Sequence, residues 1–151
     1  VTLEVGKTAP DFKGTDENGN SVILSEILKS NAVVLYFYPK DGTPGCTKEA
    51  CTFRDNWEDI KKLGATVIGI SSDSVESHRK FKEHHHLPFT LVSDPDKSIR
   101  RAYDALGTLL PPRVSYVIDR NGKILSVFNS QMNPAKHVSV AREVLERIQK
   151  R

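Results

Sequence analysis

The spacing of apolar residues switches repeatedly between strand-like and helix-like along the chain. AVVLYFY, starting at Ala32, is continuously apolar and stops at Pro39 and the turn residues KDGTPG, as a buried strand running into a loop should. In CTKEACTFRDNWEDIKKLG, the residues Ala50, Phe53, Trp57 and Ile60 recur at three- and four-residue steps, which predicts one helix stopped by Gly64. ATVIGISSD reads as a second apolar strand, followed by Ser74 as the cap of a helix carrying Val75 and Phe81. LPFTLVSDPDKSIRRAYDALG repeats the unit. It has a short strand around Leu91, Asp94 as cap with Pro95 at the first helical position, a face of Ile99, Ala102, Tyr103 and Leu106, and Gly107 as the end. VSYVID and KILSVFN flank Arg120, Asn121 and Gly122, a hairpin turn. A last helix is expected from Asn133 and Pro134 through Val138, Ala141, Leu145 and Ile148, and a first hairpin within residues 11–24.

This order predicts an α/β protein in which a mixed central β-sheet is flanked by helices on both faces, with an N-terminal β-hairpin extension. The 151 residues fit a single domain spanning 1–151, without repeats, low-complexity tracts or linkers. With 38% hydrophobic and 27% charged residues, the composition is that of an ordinary globular protein. The longest apolar run falls far short of the roughly 20 residues of a membrane span, so no membrane association is expected. The net charge of +3, from 22 basic and 19 acidic residues spread along the chain, argues against a nucleic-acid partner. VTLEVGKTAPDF lacks the apolar core of a signal peptide, which makes a reducing, cytoplasmic location the default; a processed organellar form, for example in a plastid, also fits a chain beginning with Val.

The chemistry concentrates in YPKDGTPGCTKEACTFRD, which holds both cysteines. If CTKEAC is helical, Cys46 lies in the first turn, where free N–H groups and the helix dipole favour an anion such as a thiolate, the nucleophilic form of cysteine. Cys51, five residues on, would have its Cα roughly 8 to 9 Å away and its side chain turned by about 140°. Disulfide bonding needs Cα atoms within about 7 Å, so the helix start must unwind before the sulfurs meet. That spacing suits a transient pair better than a static staple. Zinc binding is disfavoured because only these cysteines and His78, His84, His85, His86 and His137 are on offer, without Cys-x-x-Cys or His-x-x-x-His spacing. Consecutive histidines on a helix diverge by about 100° and do not converge on an ion. Two inert core thiols stay open as an alternative.

FYPKDGTPGCTKEACTFRD resembles the active-site segment of the peroxiredoxins, specifically the Q-type or bacterioferritin comigratory protein subgroup, whose Pro-x-x-x-Thr-x-x-Cys motif is met by Pro39, Thr43 and Cys46. GKTAPDF, VIGISSDSVESHRKF, LPFTLVSD, RVSYVID and FNSQMNPAKHV are similar to further family segments and extend the likeness along nearly the whole chain. Ser115 stands where Thr is common, and Pro112 where Gly is often found. The resemblance implies a thioredoxin-like fold and a thiol peroxidase for hydrogen peroxide and organic hydroperoxides, with no metal or cofactor. It makes Cys46 the peroxidatic and Cys51 the resolving residue. Thr43, Arg113 and the Gly45 and Cys46 backbone N–H groups would hold the peroxide, Pro39 would shield the sulfur, and Glu49 would orient Arg113. Attack would give a sulfenic acid, then an intramolecular Cys46–Cys51 disulfide reduced by thioredoxin or a glutaredoxin-like dithiol, in a monomer. A thiol–disulfide oxidoreductase acting on protein partners, and a non-enzymatic binding module of the same fold, are the other readings. Disulfide exchange has no need of a cationic peroxide pocket, which favours the peroxidase.

Overall fold

The computed structural model of the protein describes residues 2–107 and 112–149. The chain runs β1 (Lys13–Asp16), β2 (Ser21–Ile23), α1 (Leu24–Ile27), β3 (Ala32–Phe37), α2 (Pro44–Asp55), α3 (Trp57–Lys62), β4 (Ala65–Ser71), α4 (Val75–His85), β5 (Thr90–Ser93), α5 (Ser98–Ala102), β6 (Val114–Ile118), β7 (Ile124–Asn129) and α6 (Pro134–Gln149). The strands form one sheet in the order β2-β1-β5-β4-β3-β6-β7. β3, β4 and β5 are parallel and connected by helical crossovers, whereas the β1–β2 and β6–β7 hairpins add antiparallel edges. The expected mixed sheet and N-terminal hairpin are both present.

The alternation of β3 explains the two layers. Val33, Leu35 and Phe37 join one core with Leu24 and Leu28 around α1 and Ile99 of α5. Val34 and Tyr36 face the opposite core, where α2, α3, α4 and α6 supply Phe53, Ile60, Phe81 and Val138. In that second core Tyr36 stacks on Phe53 at 4.7 Å and so seats α2 on the sheet. A Cβ on Gly69 of the neighbouring strand would come within 2.7 Å of the Tyr36 ring, so the absent side chain makes the stack possible. Complete burial of Phe53 contributes about 2 to 3 kcal/mol to holding the helix there.

Three local expectations need correction. The single helix expected between Cys46 and Gly64 is two, α2 and α3, because Asn56 turns its side chain back to donate to Thr52 O at 2.8 Å and competes with the helical ladder. Asp94 does not begin a helix with Pro95 behind it. The chain first passes through Lys97 in the left-handed region (φ 62), and the Asp94 carboxylate reaches forward to accept from the N–H groups of Ile99 and Arg100 at 3.1 and 2.9 Å. α5 is then short, and Asp104 (φ 52) redirects the chain before Gly107, so Ala105 rather than Ala102 is buried. The pattern also left out α1, a single turn of four residues. Ser74 does cap α4, accepting from Ser77 N at 3.1 Å.

Candidate active site

Register brings the distant parts of the site together. Phe37 at the end of β3 pairs with Val114 at the start of β6, so the chain leaving β3 and the residue entering β6 lie side by side. The first leads through Tyr38, Pro39 and the turn at Gly42 (φ 81) into α2; the second is Arg113. Thr43 stands at the N-cap in an extended conformation (ψ 152), and Pro44 occupies the first helical turn, where its missing N–H costs nothing. Cys46 follows within that turn, only 1% exposed.

Arg113, almost fully buried, points Nη1 at two partners. It lies 3.5 Å from Cys46 Sγ and donates to Glu49 Oε1 at 2.7 Å. Nε donates to Gln131 O at 3.4 Å. A side chain at position 45 would meet the guanidinium at 2.9 Å, so glycine there lets Arg113 lie against the helix start. Burial works to lower the Arg113 pKa, but the Glu49 carboxyl and the Cys46 sulfur outweigh it and raise it, so the guanidinium is a permanent cation. Glu49 has no exposed surface, and burial pushes its carboxyl up to about 8 against the pull of Arg113. Its second oxygen accepts no hydrogen bond and lies 3.6 Å from His137 Nδ1. That imidazole donates from Nε2 to Ser130 O at 2.7 Å, and its Nδ1 lies 2.6 Å from the Ser115 hydroxyl. Burial holds His137 down at about 4. The cationic charge at the sulfur therefore comes from Arg113, with Glu49 fixing the guanidinium.

The Thr43 hydroxyl is not a helix cap. It donates to Lys40 O at 2.9 Å, which commits its proton and leaves its lone pairs free to accept from an incoming O–H. Pro39 is partly buried at the turn out of the sheet. Cys51 lies in the same unbroken α2 as Cys46, and both thiols are free. Half-buried, it faces His85, with Sγ 3.8 Å from Nδ1.

Two supports have no sequence signal strong enough to find them. Arg100 looks like any charged residue in SIRRA, yet it is 1% exposed; Nη2 donates to Tyr38 O at 2.7 Å, and Nη1 to Ala105 O at 2.8 Å and Pro112 O at 3.1 Å. It thereby ties the carbonyl before Pro39 to the carbonyl before Arg113. Asp41, which reads as a solvated turn residue, is instead drawn inward. It accepts from the hydroxyls of Tyr38 at 2.5 Å and Ser77 at 2.9 Å, lies 2.6 Å from His78 Nδ1, and its N–H donates to Asp73 Oδ2 at 2.8 Å. Asp41, Asp73 and His78 place three potential metal-ligand atoms within 4.8 Å of one another. Those atoms already serve the hydrogen bonds of the cluster, with Ser71 Oγ on Asp73 at 2.6 Å, so the group reads as a structural knot fixing the loop before α2.

This cysteine, guanidinium and fold define a protein of the AhpC/TSA family, to which the chain belongs: the family's sequence pattern matches residues 5–127. Its relatives include the chloroplastic peroxiredoxin Q of rice (Oryza sativa subsp. japonica), 47% identical over 93% of this chain and 66% of that protein. Another, from Sedum lineare, is 48% identical over 93% of this chain and 77% of that protein. The chain thus spans about two thirds of the length of the rice relative. Among solved structures, the peroxidoxin BcpB of Mycobacterium tuberculosis superimposes with a TM-score of 0.91 at 36% identity, covering 97% of this chain and 98% of that one. The bacterioferritin comigratory protein of Xanthomonas campestris gives 0.86 at 28% identity, with 97% of each chain covered. The thioredoxin-like fold expected from the sequence is the fold of these peroxiredoxins.

Proposed function

We propose that the protein is a thiol-dependent peroxidase, working as a single-domain monomer. The observation that carries this is the Arg113 guanidinium lying 3.5 Å from a buried cysteine sulfur at a helix start. Cys46 thiolate attacks one peroxide oxygen, the O–O bond breaks, and the departing alkoxide or hydroxide takes up a proton, leaving Cys46 as sulfenic acid and releasing an alcohol or water. Negative charge develops on both oxygens, and Arg113 with the Gly45 and Cys46 N–H groups offers preorganised donors for it. Thr43 accepts from the peroxide O–H, Glu49 orients Arg113, and Pro39 keeps bulk water from the sulfur. Cys51 then condenses with the sulfenic acid, and thioredoxin or a glutaredoxin-like dithiol reduces the resulting disulfide.

Hydrogen peroxide and organic hydroperoxides are the substrates that fit; the Xanthomonas campestris relative has alkyl peroxide reduction activity. No helix among the described residues is long and apolar enough to cross a membrane, and chloroplastic relatives support a plastid setting beside the cytoplasmic one. The work done is antioxidant defence and redox homeostasis. The deciding experiment is titration of reduced protein with hydrogen peroxide, followed by thiol counting and peptide mass spectrometry. Rapid loss of two thiols per peroxide with a Cys46–Cys51 crosslink is expected. Slow loss, or full turnover by Cys46→Ser, would overturn the assignment in favour of a disulfide exchanger.

A further inference from the structure

We propose that His85 is the general base that takes the proton from Cys51 so that its thiolate can attack the oxidised Cys46. This rests on the reading of Cys51 as the resolving residue.

His85 is the last residue of α4 and lies beside α2, its Nδ1 3.8 Å from Cys51 Sγ. The ring is held from several directions. Phe81 packs edge-on at 5.0 Å and the His84 ring at 4.5 Å. Arg54, which follows Cys51 by three residues, donates from Nη1 to the His85 carbonyl at 2.7 Å and so locks the end of α4 to the helix bearing the thiol. His86, left-handed at φ 54, closes α4 immediately afterwards. The groups that bear on the imidazole are therefore Arg54 from α2, itself paired with Asp55 at 3.1 Å, and His84 and His86 from its own segment. Partial burial first, then these basic neighbours, lower the His85 pKa below its usual 6.5, so near neutral pH the ring has a vacant lone pair with which to receive a proton.

The need for a base is quantitative. An ordinary cysteine thiol with a pKa of about 8.5 is only about 3% ionised at pH 7, so assisted ionisation offers up to about 30-fold in the rate of attack. The location serves the proton as well. His85 lines an open groove of about 610 Å³ that it shares with Pro44 and Thr47 of the first α2 turns, the segment that must unwind for the sulfurs to meet. The step balances without another reactant. The Cys51 S–H proton passes to Nδ1, the new S–S bond forms as the Cys46 S–O bond breaks, and the departing hydroxide recovers a proton as water. Cys51 sulfur is oxidised and Cys46 sulfur reduced.

The test follows one peroxide turnover in two phases, sulfenic acid formation and disulfide formation, by rapid mixing with acid quench and thiol-specific labelling. In His85→Gln the ratio of second-phase to first-phase rate should fall by about 10- to 30-fold at pH 7 and recover towards the wild-type ratio at pH 9, where thiols ionise unaided. An unchanged ratio at pH 7, or the same loss at both pH values, would overturn the proposal, the latter by marking a merely structural role. Wild-type protein gives an independent reading should the variant misfold. Its second phase should level off above about pH 6.5, and a continued tenfold rise per pH unit up to about 8.5 would be incompatible with a histidine base. Cys51→Ser separates the two layers of argument: a second phase that persists in it removes Cys51 as resolver and His85 with it.

Discussion

Replacing Arg100 by Met would keep an unbranched aliphatic side chain but remove the guanidinium, which lies 5.5 Å over the Phe37 ring, and with it the three hydrogen bonds that hold Tyr38 O, Ala105 O and Pro112 O. Hydrogen bonds to a charged donor contribute about 1.5 to 3 kcal/mol each, and a buried carbonyl left without a partner costs about 1 to 3 kcal/mol. Part of that is offset by relief from burying a cation, a burden visible in the Arg100 pKa, which burial pulls down to about 10. The net loss expected is about 3 to 5 kcal/mol, in line with breaking a buried charged contact and large against a typical total stability of about 5 to 15 kcal/mol. A second effect should accompany it. Arg100 ties together the carbonyls that precede Pro39 and Arg113, so its loss lets Arg113 shift relative to Cys46, and a displacement of about 1 Å at a reacting centre costs on the order of 100-fold in rate. Urea unfolding gives the first quantity, and the rate of sulfenic acid formation in the folded protein the second. Arg100→Lys, which keeps the charge but not the fork, should fall between Met and wild type in both. A Met variant less than about 1 kcal/mol destabilised, with wild-type oxidation kinetics, would refute the cross-tie.

Arg113→Gln should slow peroxide reduction by about 100- to 1,000-fold in stopped-flow oxidation, as loss of a preorganised charge donor does elsewhere; a loss under tenfold would remove Arg113 from the chemistry. For His137 the folded-state pKa of about 4 lies below the ordinary 6.5, so the unfolded chain binds the extra proton between those values, and the contribution is present above about pH 6.5 and lost as pH falls towards 4. Wild type should thus lose about 3 kcal/mol more than His137→Asn between pH 7 and pH 4 in urea unfolding. Glu49 runs the other way, since its raised pKa makes its contribution fall as pH rises from about 4.5 to 8, which is why the wild-type-minus-variant difference is the quantity to read; parallel curves would refute the His137 term. Amide exchange across residues 44–52 should accelerate in the disulfide form, and equal protection in both redox states would refute unwinding of α2.

The strand–helix rhythm, the α2 start and the residues of the peroxide motif were legible because each is signalled locally, by period, proline placement or motif spacing. The pairing of Arg113 with Cys46 was legible only through resemblance. Its physical cause is the antiparallel register of β3 and β6, which no window of local sequence contains. Asn56 illustrates another limit: the apolar steps on either side of it are helical, and the break comes from a side chain competing for a carbonyl. Arg100 and Asp41 went unseen because their burial is created by tertiary neighbours, and a charged residue in a polar stretch gives no sign of which way it will turn. The Thr43 hydroxyl shows a finer gap, since the motif supplies the residue but gives no sign that its proton is donated to the Lys40 carbonyl.

The inward-turned Asp41 sets a limit on how far α2 can open. With its carboxylate gripped by Tyr38, Ser77 and His78 on one side of Cys46, and Phe53 sunk in the core on the other, the unwinding segment is a leash pinned at both ends. Five residues from Asp41 to Cys46 reach at most about 17 Å, so the oxidised sulfur cannot wander from its partner. A short tether of this kind presents the second thiol at an effective concentration in the millimolar range or above, and closing so small a loop takes about 10 to 100 ns. In the proposed cycle, a second peroxide would therefore have to arrive by diffusion before a tethered neighbour, once α2 has opened, closes a five-residue gap.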